Sequence, residues 1–144
     1  MTAARQVVVA AVGVALALSA CAGPSTRGGV PDDVLLEEVA AIPGVVAVDV
    51  EREAGTPVRE PQYVGTVAVA PDADPACVLD RVWATLWQGR LASIGVDAEV
   101  DGRLLSSDDL LGINGVASRL SERYGARTGS TTITPIKDPP ACRT

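Results

Sequence analysis

The sequence predicts an α+β fold, a small two-layer sandwich with a helix-strand-strand-helix-strand core, a C-terminal helix and a tail. Three observations point to it. Segments of helical period and runs of strict period two share the chain between residues 31 and 105. Acidic or proline starts and glycine stops bound the helical segments. In the resulting order, two helices can cover one face of a small sheet.

The first helix opens at "PDDVLLEEVAAIPG", where Asp32 and Asp33 suit a helix N-terminus. Leu35, Val39 and Ile42 follow at helical spacing, and Pro43-Gly44 ends the run. "VVAVDVERE" then alternates, with Val46, Val48 and Val50 expected inward and Ala47, Asp49 and Glu51 outward. Residues 54–61 are a polar connection, and "QYVGTVAVA" is the second strand of a long-looped hairpin. The second helix has Asp74 as its N-cap, Pro75 at its first position, and Leu79, Val82, Trp83 and Leu86 as its apolar stripe. "SIGVDAEV" returns to alternation, with Val96, Ala98 and Val100 inward. Asp101-Gly102 is a tight-hairpin signal leading to a short strand at Arg103–Leu105. A polar turn from Ser107 leads to a last helix around Asn114 to Tyr124, carrying Val116, Leu120 and Tyr124 and ended by Gly125. Residues 126–144 are expected to be a tail, with an edge strand at Thr131–Ile133.

Ahead of this domain, Arg5 precedes twelve uninterrupted apolar residues, Val7–Leu18. Spanning a bilayer takes about 20, so the run is too short for a stable membrane helix and has the order of an export signal. It ends Leu18-Ser19-Ala20-Cys21, which resembles the lipobox of bacterial lipoproteins. That resemblance covers residues 1–21. It implies removal of the signal peptide, residues 1–20, and a thioether-linked diacylglyceryl group on Cys21, whose thiol is the strong nucleophile the reaction needs. Two or three acyl chains, at about 0.8 kcal/mol per buried CH₂, hold stably where one does not. Residues 21–30 then read as a flexible tether, and residues 31–125 as the folded domain. The expected location is the extracytoplasmic face of the cell membrane.

Composition narrows the function. The whole chain carries 12 basic and 18 acidic side chains, and Lys137 is its single lysine, an arginine bias typical of a GC-rich genome. Without residues 1–20 the side-chain balance is −7, eighteen acids against eleven bases, which excludes a nucleic-acid role and argues against electrostatic attraction to anionic lipid. There is no histidine, so the commonest general base and metal ligand is missing. Neither a Gly-x-Ser-x-Gly elbow nor a glycine-rich phosphate loop is present. No catalytic, cofactor-binding or metal-ligating residue is therefore assigned.

Across residues 31–101 the element order is similar to the BON domain of bacterial envelope proteins, on the segments "PGVVAVDV" and "VGTVAVAPDADP". Ile94-Gly95-Val96 loosely echoes the Gly-Val-x-x-Val pattern of that family. The resemblance implies a membrane-linked fold and carries over no functional residues.

Four features bear on chemistry. Asp97, Glu99 and Asp101 share one strand face with neighbours about 6.8 Å apart; with Asp49 and Glu51 they either hold a divalent cation or form a solvated outer face. Asp72 and Asp74 lie in a loop too sparse in ligands for a calcium site, and capping already accounts for Asp74. Trp83 and Trp87, one helical turn apart, either floor a ligand pocket or fill a core that has no phenylalanine. Cys77 and Cys142 lie beyond the export signal, outside the reducing cytosol, which predicts a disulfide pinning the tail; two free thiols, or a redox-active or intermolecular cysteine, are the alternatives. The functional expectation is a lipid-anchored envelope protein acting as a binding or assembly module, with the membrane as one partner through Cys21 and an envelope protein or small apolar ligand as another. The alternatives are a carrier holding an apolar ligand beside Trp87, and a carboxylate-dependent hydrolase.

Overall fold

The structure is a computed structural model that describes residues 28–143. The expected signal peptide and lipobox, Cys21 and most of the expected tether lie outside the described residues. The fold is α+β. Its elements run α1 (Asp32–Ala40), β1 (Val45–Glu53), β2 (Gln62–Val69), α2 (Pro75–Leu86), β3 (Ser93–Val100), β4 (Arg103–Leu105), α3 (Ser107–Leu111) and α4 (Ala117–Tyr124), with one 3₁₀ turn at Pro140–Cys142. The chain is already in the fold at Val30, inside the expected tether: its side chain is buried and its N–H donates to the Gln88 carbonyl at 3.1 Å.

The four strands lie in the order β1-β2-β3-β4. β1 and β2 pair antiparallel, β2 and β3 parallel, β3 and β4 antiparallel. A parallel pair needs a crossover, and α2 supplies it. Leu35 and Val39 of α1 and Leu79, Val82, Trp83 and Leu86 of α2 are fully buried against Val67, Val96 and Ala98 of the sheet. The Trp83 indole N–H donates to the Val96 carbonyl at 2.9 Å, so the largest core side chain leaves no orphan donor. α2 begins as its sequence dictates: Asp74 accepts the Ala76 N–H at 3.0 Å, and proline occupies the first helical position. The β3–β4 turn has positive φ at both Asp101 (51°) and Gly102 (74°), the backbone that a two-residue hairpin demands.

The structure corrects four expectations. Val46 points outward, 68% exposed, because β1 carries a bulge between Val45 and Ala47 that shifts the register; Val45 packs on the core in its place. The segment expected as a polar turn at Ser107 is the short helix α3, capped by Ser106, and the following helix starts at Ala117 instead of Asn114. The Gly115 carbonyl accepts the Ile94 N–H at 2.9 Å, which holds residues before Ala117 against β3 and out of the helix. Thr131–Ile133 forms no strand: the neighbouring Thr134 backbone instead donates to and accepts from the Gln88 side-chain amide, at 2.7 and 3.1 Å.

Candidate functional site

Residues 126–143 are laid across the outer side of α2 as a strap. Its first fastening is Arg127. That guanidinium donates to the carbonyls of Gly89 (2.8 Å), Arg90 (2.9 Å) and Ala92 (2.7 Å), while Arg52 donates to the intervening Leu91 carbonyl at 3.2 Å. Two arginines thus satisfy four consecutive carbonyls of the loop that links α2 to β3. A Cβ at Gly89 would stand 2.5 Å from both the Leu35 side chain and the Tyr63 hydroxyl, so both of these buried side chains would have to shift to admit one. The Arg127 guanidinium also lies 3.7 Å from the centroid of the Trp87 ring, a cation–π contact. Burial lowers its pKa to about 10, so it remains a cation at neutral pH.

At the far end, Cys142 is disulfide-bonded to Cys77 in the first turn of α2, with Cα atoms 4.6 Å apart. Beside that bond the fully buried Asp80 takes four hydrogen bonds: two from Arg123, one from the Tyr124 hydroxyl and one from the Ala141 N–H. The two-point bond to Asp80 holds Arg123 above its usual pKa. Burial first, and then the same carboxylate, push the Tyr124 phenol above its ordinary value.

Between these fastenings a cleft of about 370 Å³ opens under the strap. Its floor is Ala84 of α2 and Trp87, the residue that caps that helix, and the apolar part of its wall is Pro135, Ile136, Pro139 and Pro140. Its charged lining is Arg127, Lys137 and Arg143, with Arg123 already paired to Asp80, against one acid, Asp138, which Arg81 neutralises at 2.8 Å. On an acidic chain this is a cationic mouth.

The sequence-predicted candidates fall elsewhere. Asp49 and Asp97 occupy one rung of the sheet with Thr66 between them, two strand spacings or about 9–10 Å apart. Asp97 is engaged by the Ser107 N–H at 2.7 Å. Glu51 and Glu99 lie on other rungs, and Asp101 is in the turn. Among the described residues no three of His, Cys, Asp or Glu are placed to hold a metal ion. Asp72 is exposed and Asp74 caps α2. Trp83 lies in the core and Trp87 at the cleft, its indole N–H donating to the Gly125 carbonyl at 2.9 Å.

Sequence reasoning did not single out Asp80, Arg123 or Arg127. An aspartate between Leu79 and Val82 on an otherwise buried helix was the available signal for the first. The fold and the cleft define a disulfide-strapped α+β domain. No protein-family model, no curated protein and no solved structure matches the chain.

Proposed function

We propose that the chain is a lipid-anchored envelope protein, held at the extracytoplasmic face through Cys21, whose folded part acts by non-covalent binding in the cleft under the strap. The observation that carries this reading is the cleft itself, concave, part apolar and lined by cations. Its size is at the small end of ligand sites, which begin near 300 Å³. A carboxylate-dependent hydrolase needs two converging acids, whereas the cleft is lined by one, Asp138, which is paired with Arg81; that favours binding.

The test is processing and partition. Wild-type protein should enter the detergent phase on phase separation and carry a diacylglyceryl mass on an N-terminal peptide beginning at Cys21. Cys21→Ala should lose the lipid and remain largely uncleaved. A wild-type chain processed without lipid would overturn the anchor.

A second reading, the carrier, is favoured by the position of the cleft beside Trp87 and by its prolines and Ile136. It requires a stoichiometric apolar molecule in native mass spectra of gently extracted protein, lost when Ala84→Trp fills the floor.

A further inference from the structure

We propose that the cleft under the strap docks the headgroup of an anionic phospholipid from the membrane that holds the chain, an inference that rests on the lipid-anchor reading above. The first argument is charge. Four of the chain's twelve basic side chains line this one cleft, although the net charge is −6. Among the described residues, Arg127, Lys137 and Arg143 make no ion pair, while Asp138 is taken by Arg81 and Asp80 by Arg123. The Arg127 fork is held by the carbonyls of Gly89, Arg90 and Ala92 and lends charge alone, so Arg143 and Lys137 supply the donors, a guanidinium and an ammonium, that match a phosphodiester. Ile136 and the prolines beside them suit the glycerol and the first methylenes.

The second argument is position. The backbone of Gly28 lies against that of Gly129, where an added Cβ would be 3.0 Å from the Gly129 carbonyl oxygen. Thr128 and Arg127, the next residues back along the strap, already line the cleft. Cys21 is seven residues before Gly28, a span of at most about 25 Å even when fully extended. A lipid on Cys21 therefore keeps the cationic mouth near the bilayer surface. The acids Asp49, Glu51 and Glu99 on the uncovered face of the sheet are repelled by the same surface, so the two signs of charge turn the domain in one sense. The charge argument against anionic lipid holds for the whole chain, and this local patch reverses it.

The chain's single lysine gives a site-specific readout. Full-length protein extracted from its membrane is reconstituted in zwitterionic vesicles and in vesicles containing phosphatidylglycerol. Lys137 is then acylated with an uncharged amine reagent and read by peptide mass. Docking predicts several-fold slower labelling in the phosphatidylglycerol vesicles, relieved by Arg143→Glu; that variant separates docking from the general loss of amine reactivity near a negative surface. Protein that fails to float with either vesicle sinks the anchor, and this proposal with it. Protein that floats and labels at equal rates in both overturns the docking alone, as does protection that survives Arg143→Glu. Equal protection by inorganic phosphate in zwitterionic vesicles would reassign the cleft to a soluble anion and overturn the lipid source.

Discussion

Asp80 on α2 and Arg123 on α4, 43 residues apart in the chain, meet in a two-point bond of 2.7 and 2.6 Å. The carboxylate is fully buried and the arginine side chain is 14% exposed. A buried charge of this kind persists only where its lone pairs are used. Tyr124 and the Ala141 N–H use the rest, so one side chain gathers α4 and the end of the strap onto α2.

Removing one partner of such a pair strands the other. Asp80→Ala should cost about 3–5 kcal/mol, because Arg123 is left without its counter-charge at a largely buried site. The double replacement Asp80→Leu with Arg123→Met should recover a large part of that loss. Denaturant unfolding of the two variants decides it, and a single Asp80→Ala change costing under about 1 kcal/mol would mean the pair behaves as a surface bridge.

Arg127 makes a different kind of prediction, since its partners are carbonyl groups. Arg127→Ala should lower stability by about 2–3 kcal/mol, the range of a hydrogen-bonded charged group. Arg127→Lys should recover little, because a single ammonium cannot span carbonyls that a planar fork reaches together. Guanidinium ion at low concentration should raise the melting temperature of Arg127→Ala while lowering that of the wild type. Lowering in both would show that the carbonyls of Gly89, Arg90 and Ala92 form no cation cradle.

What could be read from sequence was local. Asp74 and Pro75 start α2, and Asp101-Gly102 turns β3 into β4, because both signals act within a few residues. Val46 points outward against the pattern because a bulge breaks the period of two without changing the residue types around it. The cleft was out of reach for a related reason. Arg127 binds backbone 35–38 residues away, and a carbonyl has no residue identity to betray it. Trp87 on its floor and Cys142 at the strap's end are visible in the sequence, but Arg127, Lys137 and Arg143 carry no local pattern that separates them from an ordinary tail.

The Cys77–Cys142 bond closes a separation of 65 residues, for which chain entropy gives an upper value of about 4 kcal/mol. The strap has other fastenings at Asp80 and Arg127, so reduction should loosen its end without unfolding the sheet. Thiol titration of unreduced protein should find neither cysteine reactive. After reduction, hydrogen exchange should quicken at Ala141 and Cys142 and stay slow in β2 and β3. Two reactive thiols in the unreduced protein would rule the bridge out.

Tyr63 and Tyr124 are the only tyrosines, and the fold raises both above the ordinary value of 10.0. Burial is the larger cause for each, followed by the hydrogen bond to Asp32 for Tyr63 and to Asp80 for Tyr124. The folded chain therefore keeps protons that the unfolded chain releases above about pH 10. The stability these phenols contribute is complete below that pH and drains away as the pH climbs toward their folded values. Arg127 acts in the opposite sense: lowered to about 10, it sheds a proton in the fold that the unfolded chain still binds. Two phenols outweigh one guanidinium, so the net effect above about pH 10 is destabilising. Phenolate absorbance should stay absent through pH 10 and then appear in one cooperative step, together with the loss of native circular dichroism. Tyr63→Phe should halve the absorbance step. A gradual phenolate titration centred near pH 10 in protein that is still folded would show that neither hydroxyl is held by its carboxylate.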